Sequence, residues 1–175
     1  MVIWITGLSG AGKTMISEAL CALVKPRLPE LVLVDGDVVR DLFGGSLGYE
    51  EADRVIQIGR LQRLACFLNQ QGQLPVVAAL YSHPDLLAWN REHLPGYFEV
   101  LIDAPIQLVA SRDPKGLYRK AAAVEQPKVV GLDIPWHRPT APDLVIDPDD
   151  GATPEQAAGR IARAVPRLAG ALEVS

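Results

Sequence analysis

Gly7-Leu8-Ser9-Gly10-Ala11-Gly12-Lys13-Thr14 follows directly on the apolar run Val2 to Thr6 and leads directly into a segment of helical period starting at Lys13. A glycine-rich turn between strand and helix, closed by Lys-Thr, is the P-loop pattern. Its glycines let the main chain curl so that successive N–H groups point inward, and the start of the helix adds partial positive charge at the same place. The reading makes Gly7, Ser9, Gly10, Ala11, Gly12, Lys13 and Thr14 a cradle for nucleotide phosphates. Lys13 is expected to reach the β and γ phosphates, and the Thr14 hydroxyl is expected to hold Mg²⁺.

Outward from this stretch, short apolar runs alternate with longer segments of helical period, the signature of parallel βαβ units. Strands are expected at Val2 to Thr6, Leu31 to Val34, Val76 to Tyr81, Glu99 to Ile102 and Leu144 to Ile146. The expected fold is therefore α/β, a P-loop NTPase-type parallel five-stranded sheet sandwiched by helices, in one domain over residues 1–175. Lys13 to Val24 reads as the first helix. A long helix from Glu51 to Gln70 has Val55, Ile58, Leu61, Ala65 and Leu68 as its buried stripe, with Arg54, Arg60 and Arg63 on the other face. The last helix begins with Thr153 as N-cap, Pro154 at the first helical position and Gln156 completing a capping box, and Pro166 is expected to bend or end it. Gly44 to Glu50 and Pro114 to Pro142 fit neither pattern and read as active-site loops, the second as a lid.

A P-loop alone does not separate a switch GTPase, a motor ATPase and a small-molecule kinase. Asp35-Gly36-Asp37 follows the second strand, with Arg40 one helical turn later, at the sheet edge where α/β proteins bind ligands. One carboxylate, Asp35, can hold Mg²⁺ through water. The other, Asp37, can accept or orient the proton of an attacking hydroxyl, and Arg40 can pair with an anionic acceptor. This points to an ATP- and Mg²⁺-dependent kinase with Lys13 and Asp37 as its catalytic residues. The alternative for Asp35 and Asp37 is that they only cap the following short helix.

Composition bounds the partners. The 175 residues are 49% hydrophobic and 22% charged, with a formal net charge of -4, so a folded core is expected and a nucleic-acid polymer is a poor partner. No apolar run reaches the ~20 residues that span a bilayer, and the N-terminus enters a strand without a charged leader, so a cytoplasmic protein without membrane contact is expected. Cys21 and Cys66 read as buried thiols. His83, His93 and His137 lack metal-ligand spacing. Trp4 and Trp89 read as packing residues, and Trp136 as a candidate base contact.

The order of motifs resembles the adenylylsulfate kinase family, which phosphorylates the ribose 3′-hydroxyl of adenosine 5′-phosphosulfate (APS). The resemblance spans nearly the whole chain. It rests on Ile3 to Thr14, on Asp35-Gly36-Asp37 with Arg40, on Asp53-Arg54, on Arg112-Asp113-Pro114-Lys115-Gly116-Leu117-Tyr118, and on Gly131-Leu132-Asp133 with Pro142-Asp143-Leu144. It implies that Asp37 orients the acceptor hydroxyl, that Arg40 and Arg54 contact the acceptor anion, and that Arg112 and Lys115 belong to the lid near the donor phosphates. Val129, Val130 and Gly131 would then line the acceptor, and a homodimer is implied.

The departures lie on the acceptor side. Ile56 and Gln57 stand where the family usually has glutamate and asparagine, and Gly59 stands where an arginine is usual. The usual Ser-Pro-Tyr-Arg is here Ser82-His83-Pro84-Asp85, which puts an anion where a cation is common and is expected to repel the familiar acceptor. A phenylalanine that helps sandwich adenine is replaced by Val129, while Tyr49 matches the other aromatic. Val129 to Pro135, Asn90 to Leu94 and Tyr97 to Val100 resemble a branch that includes cytidine diphosphoramidate kinases. Two other classes stay open: a nucleotide sensor that has lost its chemistry, and a P-loop kinase for a sugar acid or a shikimate-like metabolite.

Overall fold

The computed structural model describes residues 1–113, 116, 118–119 and 128–173. The apolar runs form one parallel sheet of β1 (Val2–Gly7), β2 (Leu31–Asp35), β3 (Leu74–Ala79), β4 (Tyr97–Ile102) and β5 (Leu144–Ile146), in the order β2-β3-β1-β4-β5. In β1 and β3 every residue is buried, as central strands covered on both faces require. β3 begins two residues before its expected start and takes in Pro75. That proline pairs with Val32 of β2, but β1 joins β3 only from Val76 onward, so the missing N–H falls before the inner ladder begins.

The helices are α1 (Lys13–Val24), α2 (Gly36–Leu42), α3 (Glu51–Gln70), α4 (Pro84–His93), α5 (Ile106–Arg112), α6 (Pro154–Ala164) and α7 (Pro166–Glu173). The β1-α1-β2 crossover moves outward along the sheet and the β2-α3-β3 crossover moves back. Right-handed connections therefore put α1 and α3 on opposite faces. α1 packs with α6 and α7, and α3 packs with α2 and α4. Ile16, Leu20 and Val24 bury the inner face of α1, each contributing about 1.5–3 kcal/mol. Thr153 caps α6 with the expected reciprocal capping box, and Pro166 ends that helix by starting α7. Because β2 and β3 lie on one side of β1 and β4 and β5 on the other, the connections leaving β1 and β4 diverge. The crevice this opens holds the P-loop.

Three expectations are corrected. The buried stripe of α3 begins at Arg54 and runs through Gln57, Ile58, Leu61 and Ala65, whereas Val55 is exposed. Arg54, assigned to the solvent face, is buried because its guanidinium finds backbone carbonyls beneath it. Cys21 and Cys66 are half-buried, with burial pushing the Cys21 thiol up to about 11. Among the described residues, no helix is long and apolar enough to cross a membrane.

Under α4 runs a buried polar chain. Gln62 Nε2 donates to Asn90 Oδ1 (2.8 Å), Asn90 Nδ2 to Tyr97 Oη (3.3 Å), and the Tyr97 hydroxyl to Glu99 Oε2 (2.8 Å). Arg91 Nη2 lies 3.3 Å from the same Glu99 oxygen. Burial holds the Glu99 carboxyl above its ordinary range, against the opposing pull of Tyr97 and Arg91. Arg91→Ala is expected to cost about 1–3 kcal/mol, less than breaking a fully buried pair because the guanidinium is half-exposed. With Arg91 gone the folded-state pKa of Glu99 rises further above its unfolded value. Its contribution is then intact below about pH 4.3 and is lost as pH rises through the folded pKa. Urea midpoints should show a larger deficit at pH 8 than at pH 5, and a pH-independent deficit would contradict this account.

Candidate active site

The loop after β1 turns sharply because Gly7 lies against the neighbouring strand. A Cβ there would stand 2.6 Å from the Ile102 carbonyl oxygen. Ala11 N–H donates to Leu8 O (3.1 Å), closing the turn, and Ala11 is fully buried beneath it. Gly12 is the N-cap of α1 at φ 97°, a left-handed conformation that glycine adopts without strain. Gly12 has no side chain to cap this helix, which leaves the start of α1, beside the cleft-lining Lys13 and Thr14, as an anion-binding end. Lys13 Nζ donates to Gly7 O and Leu8 O, each at 2.8 Å, laying the ammonium along the loop.

Across the loop, Thr14 Oγ1 donates to Asp35 Oδ2 (2.9 Å). The other oxygen, Asp35 Oδ1, accepts from the N–H groups of Asp37 (2.8 Å) and Val38 (3.3 Å). Asp35 therefore caps α2 and also binds the P-loop threonine. Asp37, in the first turn of α2, lines the same cleft.

That cleft has a volume of about 520 Å³. On one side lie Ser9, Gly10, Gly12, Lys13 and Thr14. On the other, Arg40, Tyr49, Arg54, Gln57, Val129 and Val130 form a mixed wall. Arg40 Nη1 donates to Gly48 O (2.8 Å) and Leu47 O (3.2 Å), and its guanidinium stands 4.9 Å over the Tyr49 ring. Arg54 Nε donates to Tyr49 O (3.1 Å), and Arg54 Nη2 donates to Lys128 O (2.7 Å). Burial, and then the charge of Arg40, hold Arg54 below its ordinary pKa. The two arginines thus tie the 47–49 loop to α2 and α3 and put two positive charges on one wall.

Some expected site residues stand elsewhere. Gly131 does not line the cleft: it packs against Leu8 and Ile106, where a Cβ would come 2.7 Å from Ile106 Cδ1. Arg112 Nη2 donates to Pro148 O (3.0 Å), tying the end of α5 to the segment after β5. Lys115 lies outside the described residues. Asp85 is solvent-exposed in the first turn of α4, 3.7 Å from His83 Nδ1, and is not part of the cleft wall. Trp136 packs against the core rather than lining the cleft.

Other contacts had no signal in the sequence. The Tyr118 hydroxyl donates to Ser9 O (3.0 Å), with burial, followed by the nearby Asp113, pushing its pKa up to about 12. A neutral hydroxyl at Tyr118 thus bonds the P-loop at Ser9. Tyr81 lines the cleft, donates to Glu51 Oε1, and faces a pair of histidine rings, His83 and His137, whose centroids are 4.9 Å apart. Fifty-four positions separate the two histidines, and only the return of the chain after β4 brings them together.

A family model described as Adenylylsulphate kinase matches residues 1–147. The chain is 37% identical over 146 residues to a cytidine diphosphoramidate kinase of Campylobacter jejuni, covering 83% of this chain and 85% of that protein. It is 38% identical over 148 residues to an adenylyl-sulfate kinase of Deinococcus deserti, covering 85% and 82%. A Mycobacterium tuberculosis APS kinase, solved in complex with AMPPNP and APS, superposes with a TM-score of 0.85 at 32% identity, over 94% of this chain and 96% of that one. Two relatives with different acceptors in their names are equally similar, so overall identity does not choose between acceptors. The family model spans most of the chain and the two relatives match it over more than four fifths of both lengths, and on that ground the chain belongs to the adenylylsulphate kinase family and is a nucleotide kinase.

Proposed function

We propose that residues 1–175 act as one kinase domain that transfers the γ-phosphate of ATP to the ribose 3′-hydroxyl of a nucleotide with an activated phosphoryl end. One observation carries this reading. Asp35 bonds Thr14 through one oxygen and the Asp37 N–H through the other, so a P-loop hydroxyl and an acceptor-side carboxylate are held by a single residue. Lys13 and the N–H groups of the loop face the donor phosphates, and Asp37 orients the acceptor hydroxyl. Arg40 and Arg54 supply positive potential for the acceptor's phosphates while holding Tyr49 in the wall. Catalysis is then positioning and electrostatics.

Thr14 and Asp35 fit Mg²⁺ by donor chemistry, a hydroxyl and a carboxylate being hard oxygen ligands. When bound, the cation would neutralise charge on the donor phosphates. The homodimer belongs to the same proposal and is read by sedimentation of the purified protein.

APS is the family's default acceptor. A second reading, a phosphoramidate-ended pyrimidine nucleotide, is favoured by aliphatic Val129 and Val130 in the cleft wall, with Tyr49 and Tyr81 as aromatic residues lining the same cleft. Loss of one stacking platform is worth about 1–3 kcal/mol per base, more than a purine site gives up without compensation. The test follows ADP release with ATP, Mg²⁺ and a panel of APS, cytidine diphosphoramidate, shikimate and gluconate. Release is expected with one or both nucleotides and at least about 100-fold less with the metabolites. No release with any acceptor would favour the sensor class and overturn the proposal.

A further inference from the structure

Leu8-Ser9-Gly10-Ala11 is a tight turn, closed by Ala11 N–H donating to Leu8 O (3.1 Å). Gly10 stands at φ 79°, whereas Ser9 is not among the residues of positive φ, which makes this a type II turn with glycine in its third place. Types I and II share the closing bond and differ by a flip of the central peptide, here Ser9 C=O with Gly10 N–H. Glycine takes either sign of φ with similar ease, so neither the closing bond nor Gly10 decides which way that peptide faces.

A contact from outside the loop decides it. The Tyr118 hydroxyl donates to Ser9 O (3.0 Å) across 109 positions of sequence. Tyr118 is 5% exposed and is not among the residues lining the cleft, whereas Ser9 and Gly10 are. Its backbone is held in turn by a buried carboxylate: Asp113 Oδ1 accepts the Tyr118 N–H (3.2 Å) and Asp113 Oδ2 accepts the Arg119 N–H (3.0 Å). A trans peptide points its C=O and N–H in opposite directions. With Ser9 O held toward Tyr118, Gly10 N–H points the other way, and it takes no backbone partner among the described residues.

We infer that Tyr118 is a positioning residue of the donor site: its hydroxyl holds the turn in the form that offers Gly10 N–H, and not Ser9 O, to the donor phosphates. The inference rests on the nucleotide-kinase reading above and adds to it what aims one of the loop's hydrogen-bond donors. In the flipped form a carbonyl oxygen replaces that donor opposite the phosphate oxygens, which removes a preorganised stabiliser of developing negative charge.

Tyr118→Phe keeps the buried ring and removes only the hydroxyl. It should weaken binding of tripolyphosphate and of ATP, each with Mg²⁺, by the same factor of about 3–10, the shift in turn population that one net hydrogen bond supports. Tripolyphosphate has no base or ribose, so it reads the loop alone. The acceptor's KM at saturating ATP should stay within about 2-fold. Calorimetry gives the affinities, and urea unfolding separates them from stability. In ¹⁵N-labelled wild type the Gly10 amide proton should move downfield on adding ATP and Mg²⁺, and that shift should shrink in Tyr118→Phe. A lower urea midpoint with both affinities unchanged makes Tyr118 a packing residue, and a loss for ATP alone assigns it to the nucleoside or the lid; either result overturns the inference. So does a Gly10 amide in wild type that ATP does not move, a measurement that needs no variant. Wild type that binds neither ATP nor tripolyphosphate instead overturns the nucleotide-kinase reading, and the inference falls with it.

Discussion

Lys13→Ala is expected to lower kcat/KM for phosphoryl transfer by about 10³-fold or more and to weaken ATP binding. The ammonium lies along the loop, bonded to the Gly7 and Leu8 carbonyl oxygens, at the uncapped start of α1 beside the same cleft. Charge that develops on the transferring group in that cleft meets a full positive charge from Lys13 and partial charges from the helix. The full charge does most of the work because it is shielded from water on the loop side. The substitution puts alanine, the best helix former, at the first position of α1, so folding should survive and the deficit should be chemical. Steady-state ADP release and calorimetry with ATP and Mg²⁺ check this, with circular dichroism confirming the fold. A variant that keeps more than about a tenth of wild-type activity would remove Lys13 from the site.

The parts of this fold that were legible in the sequence are those decided within one element. The strand-loop-helix of residues 2–24, the ends of α3 and the capping box at Thr153 follow from local period and capping chemistry, and each stands where that chemistry puts it. Arg54 could not be read this way. An arginine next to an apolar stripe reads as solvated, and its burial depends on Lys128 O, a carbonyl 74 residues later that gives the guanidinium a partner out of water. Val55 is exposed for the complementary reason, since with Arg54 inside the next residue turns outward. The acceptor-side departures were visible as residue types but not as positions. Asp85, expected to reverse the charge near the substrate, is held on the surface by its place in the first turn of α4, where His83 Nδ1 accepts its N–H. Gln57 was visible only as a replacement. Its side-chain amide donates to the Gly36 carbonyl oxygen on α2 (2.9 Å), a contact across two elements.

Asp37→Asn should separate chemistry from binding. The replacement is isosteric, and its N–H stays held by Asp35 Oδ1, so α2 keeps its cap. Removing one negative charge from the first helical turn costs about 0.3–1 kcal/mol through the helix dipole, too little to unfold the site. What is lost is a carboxylate able to accept or orient the proton of the acceptor hydroxyl, a contribution of about 10²–10⁴ in rate. The expected result is a fall of that size in kcat with ATP affinity within about 3-fold of wild type. Asp35→Asn behaves differently, because Asp35 contacts both the Thr14 hydroxyl and the cap of α2, so donor binding and turnover should fall together. If Asp37→Asn left turnover unchanged, the hydroxyl-orienting role would have to pass to another group. If it instead abolished ATP binding, Asp37 would belong to the phosphate side of the cleft. The pair of variants therefore distinguishes a carboxylate that handles the acceptor from one that completes the donor site.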